Sequence, residues 1–378
     1  MGCRCVNEDV LSKRAVRFAL IFEGTGNDES NPSSMTRLHN MLCETRCQRK
    51  HITSGCGTRG GLLKRLVCGI TGWDLYSAIF EQYRWLTRES LRMALRPDQV
   101  QLYLFGFSRG AYQARLFAEF VSSMGIPANE SCCKFVVMRF ALARVFRCFR
   151  KETGFGKPIV RYLGLIDTVR SVFLFASGRR KPSVPTGAVV RHALAKHEAR
   201  IFFRKLSVDK TTRVEQRFFV GSHSDVGWAY NGDRGTKSLG EIALRWIIEG
   251  VYNDLSFIYV PPNPISSPSL MILMAEYMWY LMHESAMSAN NLWGAIPLRS
   301  RCSEGIKLHE SAEAIKDIVD NFKIFNDQET KYFVASLGDK RRWFWRYLRI
   351  KNDLREVRER IEQYRHAIVQ MLIQKHYF

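Results

Sequence analysis

The segment that most limits what this chain can fold into lies between residues 100 and 123. Val100–Phe107 is an almost unbroken apolar run rich in β-favouring residues, the pattern of a strand covered on both faces. It ends in Gly106-Phe-Ser108-Arg-Gly110, and Arg109–Ser123 continues with helical spacing. A strand that turns into a helix this abruptly leaves no room beside the turn. Only glycine fits two residues before and two after the serine. Units of this kind belong in a parallel sheet with helices on both faces.

The rest of the first two-thirds agrees. Val16–Phe22 reads as a buried strand and runs into a Gly-rich loop, Glu23-Gly24-Thr25-Gly26-Asn27-Asp28. Asp74–Leu95 carries Leu75, Ile79, Tyr83, Leu86 and Leu91 at the spacing of one apolar helix face. Ile159–Ile166 and Glu215–Val220 read as further strands, and Ser238-Leu-Gly-Glu241 is a capping box opening a helix through about Val251. The expected fold class is α/β, a mostly parallel sheet flanked by helices. Pro261-Pro-Asn-Pro264 and Pro268 break the alternation and predict a boundary between residues 1–260 and a helical C-terminal region, 261–378. That region contains the Met-rich Leu270–Met287 and a long basic helix over Lys340–Lys375.

Charge narrows the function classes. Lys and Arg number 57 against 36 Asp and Glu, a net +21, which implies a polyanionic partner: a phosphate-rich membrane or a nucleic acid. From Gly338 to Phe378 there are 11 Lys and Arg against 5 Asp and Glu. Within that stretch Arg341, Arg342, Trp343, Trp345 and Arg346 interleave cations with aromatics, as a segment seated among lipid headgroups would. No RNP run or zinc-finger spacing supports nucleic acid, and none is expected as a partner. No stretch reaches the roughly 18 uncharged apolar residues of a spanning helix, and the best, Leu270–Met282, is broken by Glu276. Residues 1–22 lack a signal-peptide core, so the chain is expected in the cytoplasm of the producing cell. His39, Cys43, Cys47 and His51 recur every four residues, but on one helix they would drift by about 40° per step and not close on one ion. No metal and no cofactor is expected.

The serine of the tight turn reads as a nucleophile, which needs a base and an orienting carboxylate. In α/β-hydrolases these follow in the order Ser, acid, His. Asp167 ends the strand pattern Leu163-Gly-Leu-Ile-Asp167-Thr-Val169, and His223 follows another in Phe218-Phe-Val-Gly-Ser-His223-Ser-Asp225-Val-Gly227. The reading is therefore that Ser108 attacks, His223 shuttles the proton and Asp167 holds the imidazole. Asp225 competes as the acid. In an extended segment it would stand beside His223, about 6.6 Å away, rather than behind the ring, so it is read as supporting the loop. The oxyanion donors would be the Arg109 amide and one from Gly24 or Thr25. The bland alternative for Ser108 is a helix cap. Asp74, His192 and His197 read as caps or surface residues.

These residues resemble a family. Glu23-Gly-Thr-Gly-Asn27, Gly106-Phe-Ser-Arg-Gly-Ala111 with Ala114-Arg115, Ile166-Asp-Thr-Val169 and Gly221-Ser-His-Ser-Asp-Val-Gly227 together are similar to the α/β-hydrolase domain family that includes bacterial type VI secretion phospholipase effectors. Arg191-His-Ala-Leu-Ala with Glu198-Ala-Arg200 and Leu308-His-Glu-Ser311 extend the likeness. The resemblance implies a serine hydrolase cleaving ester bonds of glycerophospholipids through a Ser-Asp-His triad, needing no cofactor. It also implies export by a signal-peptide-independent route, peripheral attachment to an anionic target membrane, and a secretion-system component or immunity protein as partner. Two features depart from the family: Glu23 stands where its first loop usually has Asp, and Trp228-Ala-Tyr230 follows where it tends to have glycines. Two rival readings remain, a small-ester or acyl-transfer hydrolase and a basic nucleic-acid-binding protein on an inert hydrolase scaffold.

Overall fold

The computed structural model describes residues 15–24, 32–55, 73–146, 154–169, 181–196, 198, 205–209, 213–219, 221, 223–229, 237–260 and 306–308. The chain divides into two compact units. One holds Met1–His192, Leu206–Gln216 and Trp246–Val260, and the other Ala193–Lys205, Arg217–Arg245 and Pro261–Phe378.

In the first unit, β1 (Val16–Phe22) lies between β2 (Gln48–Thr53) and β3 (Val100–Phe107), parallel to both. Beyond β3 comes β4 (Ile159–Ile166), also parallel, and then β5 (Val189–Ala195) and β6 (Val214–Phe219). Val190 N–H donates to Arg213 O and Lys196 N–H to Phe219 O, so β5 and β6 advance in the same direction. Every residue of β1 and β3 is buried, as expected of strands covered on both faces. The chain first builds β1 to β2 on one side and then crosses to place β3 on the other. The strand order therefore switches between β1 and β3. In open α/β sheets ligands gather at the carboxyl ends of the strands flanking such a switch, here Phe22 and Phe107.

Three helices cover this part of the sheet or pack beside those that do: α2 (Trp73–Arg92), α3 (Arg109–Met124) and α4 (Cys133–Phe146), while α1 (Ser34–Met41) joins β1 to β2. Phe18, Phe22, Tyr83, Phe117, Phe120 and Phe140 are among the aromatic residues of the core. Tyr83 spends its hydroxyl on Gly125 O at 2.7 Å. Ile79, Tyr83 and Leu86 of the expected apolar face are buried, but Leu91 is 46% exposed in the last turn of α2. The second unit carries the carboxyl ends of β5 and β6, a one-turn helix α5 (His223–Val226), most of α6 (Lys237–Glu249) and β7 (Lys307–Leu308), which pairs in parallel with β6.

β1, β3 and β4 have the expected bounds. β6 begins one residue earlier than expected, and α6 begins at Lys237, with the Ser238 side chain of the expected capping box outside the described residues. The four expected positions of the histidine and cysteine series do not share one helix. His39 is on α1, Cys43 and Cys47 lie between α1 and β2, and His51 is on β2. His51 Nδ1 lies 3.0 Å from Gln82 Oε1, and its ring stacks on Trp85 at 4.7 Å. Among the described residues no group of three or more His, Cys, Asp or Glu could hold a metal ion. Among them, too, no helix is long and apolar enough to cross a membrane. The expected helices at Leu270–Met287 and Lys340–Lys375, with Arg341, Arg342, Trp343, Trp345 and Arg346, lie outside the described residues.

Candidate active site

The turn from β3 into α3 is as tight as its glycines require. A Cβ on Gly106 would meet the Gly110 carbonyl oxygen at 2.5 Å. One on Gly110 would strike the carbonyl of Phe22 and come within 2.5 Å of that of Glu23, at the end of β1. The obstacles are backbone atoms, which cannot rotate away. Gly110→Ala is therefore expected to destabilise the fold by roughly 3 kcal/mol, the upper end of ordinary overpacking costs. A urea midpoint equal to that of the wild type would contradict this packing.

Between the glycines, Ser108 sits at φ 59°, ψ −123°, a conformation that non-glycine residues rarely adopt. Such backbone strain costs of order 1–3 kcal/mol and persists where the surroundings over-determine it. Ser108 is the N-cap of α3, yet its side chain makes no capping hydrogen bond. The helix-cap reading of this serine is therefore wrong: its hydroxyl is not spent on the helix. Arg109, the first residue of α3, presents its amide at the helix's positive end.

Asp167 follows β4 and is fully buried at φ 39°. The parallel β3–β4 ladder continues past both strand ends. Ser108 N–H donates to Ile166 O at 2.9 Å, and Val169 N–H donates to Ser108 O at 3.3 Å. Residues 108 and 167, 59 apart in the sequence, are thereby backbone neighbours within the first unit. The chain just beyond is gripped as well: Thr168 N–H donates to His192 Nε2 at 3.2 Å, and Leu206 N–H to Thr168 O at 3.0 Å. His192 is buried on β5, neither a cap nor a surface residue. Asp74 has its side chain outside the described residues, as His197 lies wholly.

His223, in the second unit, is buried and opens α5 instead of lying in an extended loop. Glu198 Oε2 accepts its backbone N–H at 3.2 Å. Glu198 is buried too, and its part in holding His223 was not legible from the motif alone. Asp225 is buried two residues further on. On a helical turn residues two apart do not face one another, so the side-by-side geometry of an extended segment does not apply. Gly221, at φ 114°, abuts Asp225, where an added Cβ would come within 2.7 Å of the Asp225 Cβ. Trp228 adopts φ 53°, the backbone form that glycine would take, with its N–H on Asp225 O at 3.1 Å. It packs against Gly240 of α6.

The loop after β1 is pinned by one carboxylate. Glu23 Oε1 accepts from Gly24 N–H at 2.8 Å and from the Ser33 hydroxyl, and Oε2 accepts from Thr36 N–H at 3.1 Å and Thr36 Oγ1 at 2.6 Å. The Gly24 amide, one of the two expected candidates for the loop donor, is thus turned to Glu23. Thr25 lies outside the described residues. Burial raises the Glu23 carboxyl above its ordinary value of 4.5, only partly offset by the hydrogen bonds from Ser33, Thr36 and Gly24. A raised folded-state value means that the folded chain holds this proton after the unfolded chain has released it. The associated stability is present below the ordinary value and is lost as pH rises through the raised one. The urea midpoint of the wild type relative to Glu23→Gln is therefore expected to fall across that interval and to level off above it. A difference independent of pH would refute this assignment.

The family described as "T6SS, Phospholipase effector Tle1-like, catalytic domain" matches residues 16–250. No curated protein matches the sequence. Among solved structures, the Tle1 effector bound to the VgrG spike of the type 6 secretion system aligns with 58% of this chain and 53% of its own, at 21% identity and a TM-score of 0.37. An uncharacterized protein from Pseudomonas aeruginosa aligns with 95% of this chain and 62% of its own, at 16% identity and a TM-score of 0.45. The chain thus spans between half and two-thirds of the length of either structure.

Proposed function

Because this chain belongs to the Tle1-like phospholipase effector family of the type VI secretion system, we propose that it hydrolyses ester bonds of membrane glycerophospholipids through Ser108, His223 and Asp167. The observation that carries the reading is the strained Ser108 in its glycine-flanked turn, with the Asp167 segment hydrogen-bonded to it across the ends of β3 and β4. Ser108 Oγ attacks the ester carbonyl carbon while His223 takes its proton, and Asp167 orients the imidazole and stabilises the imidazolium. The oxyanion is met by the amide of Arg109, with Thr25 as the loop donor now that Gly24 faces Glu23. One such donor is worth about 10²–10³ in rate. As the tetrahedral species collapses, His223 returns the proton to the leaving lysolipid alcohol. Water, deprotonated by His223, then releases the fatty acid from Ser108.

In this reading residues 1–260 form the catalytic domain. The basic 261–378 region, with Arg341, Arg342, Trp343, Trp345 and Arg346, seats the enzyme on anionic lipid. The net charge of +21 supports attraction to such a surface. The route is export without a signal peptide, from the cytoplasm of the producing cell to the membrane of a target. A secretion-spike component and an immunity protein are the expected protein partners.

The test pairs fluorophosphonate labelling, mapped to the modified peptide, with fatty-acid release from phosphatidylglycerol vesicles. Label on the Ser108 peptide together with release supports the proposal. Label on another peptide, or vesicles untouched while p-nitrophenyl butyrate is cleaved, overturns it, the latter in favour of a small-ester hydrolase.

A further inference from the structure

We infer that His192 is a positioning residue for Asp167, holding the turn that carries the carboxylate by accepting the amide hydrogen of Thr168. The inference rests on the catalytic reading above. Asp167 keeps a backbone conformation that costs about 1–3 kcal/mol and needs neighbours that enforce it. The hydrogen bonds beyond it supply them. Thr168 N–H donates to His192 Nε2, so that nitrogen carries a lone pair, and the ring proton sits on Nδ1. Nδ1 lies 3.3 Å from Gln216 Oε1. The Gln216 amide is itself oriented, since Oε1 accepts from Val208 N–H and Nε2 donates to Val208 O, each at 2.9 Å. One tautomer of His192 therefore serves both Thr168 and Gln216.

The other side of the Thr168 peptide is held by the same segment. Leu206 N–H donates to Thr168 O, and Arg115 on α3 donates through Nη1 to Leu206 O at 2.7 Å and through Nη2 to Ser207 O at 3.4 Å. Arg115 is buried, which pulls its guanidinium down to about 10, still charged at neutral pH. The helix that follows Ser108 thus also anchors, through Arg115, the segment bonded to Thr168. His192 closes that arrangement from β5, and among the described residues it is the side chain that receives the Thr168 amide. Without it, the turn loses the contact adjoining its strained residue, and the carboxylate loses its aim.

The experiment is a double-mutant cycle read on p-nitrophenyl butyrate turnover and on the rate of fluorophosphonate labelling at Ser108. His192→Ala is expected to lower kcat about 100-fold with KM unchanged, the effect of a misplacement near 1 Å. In an Asp167→Asn background the same change is expected to cost less than about 2-fold, because residues acting through one group are not additive. An equal loss in both backgrounds, or a loss carried by KM, overturns the inference. If His192→Ala shows no cooperative melting, His192→Gln and His192→Asn decide. The Gln oxygen reaches the Nε2 position and can accept from Thr168, whereas the Asn oxygen reaches only that of Nδ1. Gln well above Asn supports the role, and equal activities refute it. Turnover surviving Ser108→Ala would instead condemn the catalytic reading itself, an outcome separate from additivity at His192.

Discussion

Ser108→Ala is expected to lower ester turnover by about 10⁵- to 10⁶-fold, the loss seen when a triad nucleophile is removed from an enzyme of this type. The same variant should keep its melting temperature. The Ser108 side chain makes no capping hydrogen bond, so its removal takes no side-chain cap from α3. Alanine meets the same positive φ that serine does. A stability change within about 1 kcal/mol is therefore expected, with fluorophosphonate labelling of the Ser108 peptide abolished. The combination is diagnostic: a folded protein without turnover assigns the hydroxyl to chemistry. Fatty-acid release at the wild-type rate by Ser108→Ala would remove it from the mechanism.

Asp167→Asn is expected to cost about 10⁴ in kcat, since the amide no longer fixes the imidazole tautomer or stabilises the imidazolium. Asparagine is the appropriate replacement because it keeps the shape and tolerates the positive φ observed at this position. Asp225→Asn provides the contrast. α5 is a single helical turn, on which residues two apart do not face one another, so a loss within about 10-fold is expected, from a less well-held turn. The reverse order, with Asp225→Asn the crippled variant, would make Asp225 the acid. Circular dichroism melting of both variants separates these losses from unfolding.

The parts of the fold that were legible in the sequence are those where burial on both sides of a strand left an apolar run. β1, β3 and β4 read off directly for that reason. β2, Gln48–Thr53, did not, because an edge strand with half-buried Arg49, Lys50 and His51 has no such run. β5 was hidden by Arg191 and His192 in its middle. There Arg191, half-buried, lays its guanidinium over Trp246, and His192 is buried in hydrogen bonds, so both polar residues are covered by partners that only the folded chain supplies. The same cause hid the role of His192: a histidine beside an arginine carries no pattern that distinguishes surface from a satisfied interior. Ser108 and its glycines were legible since the turn's sterics dictate residue type at fixed spacing. The choice between Gly24 and Thr25 as loop donor was not legible, because nothing in the sequence shows that the Glu23 side chain bends back to take the Gly24 amide.

The Glu23 clamp has a consequence for what a single substitution can undo. One carboxylate receives the Gly24 amide, the Ser33 hydroxyl and both the amide and the hydroxyl of Thr36, so the chain leaving β1 and the chain entering α1 are fastened at one point. A side chain at position 23 that lacks both oxygens would release all of these donors together.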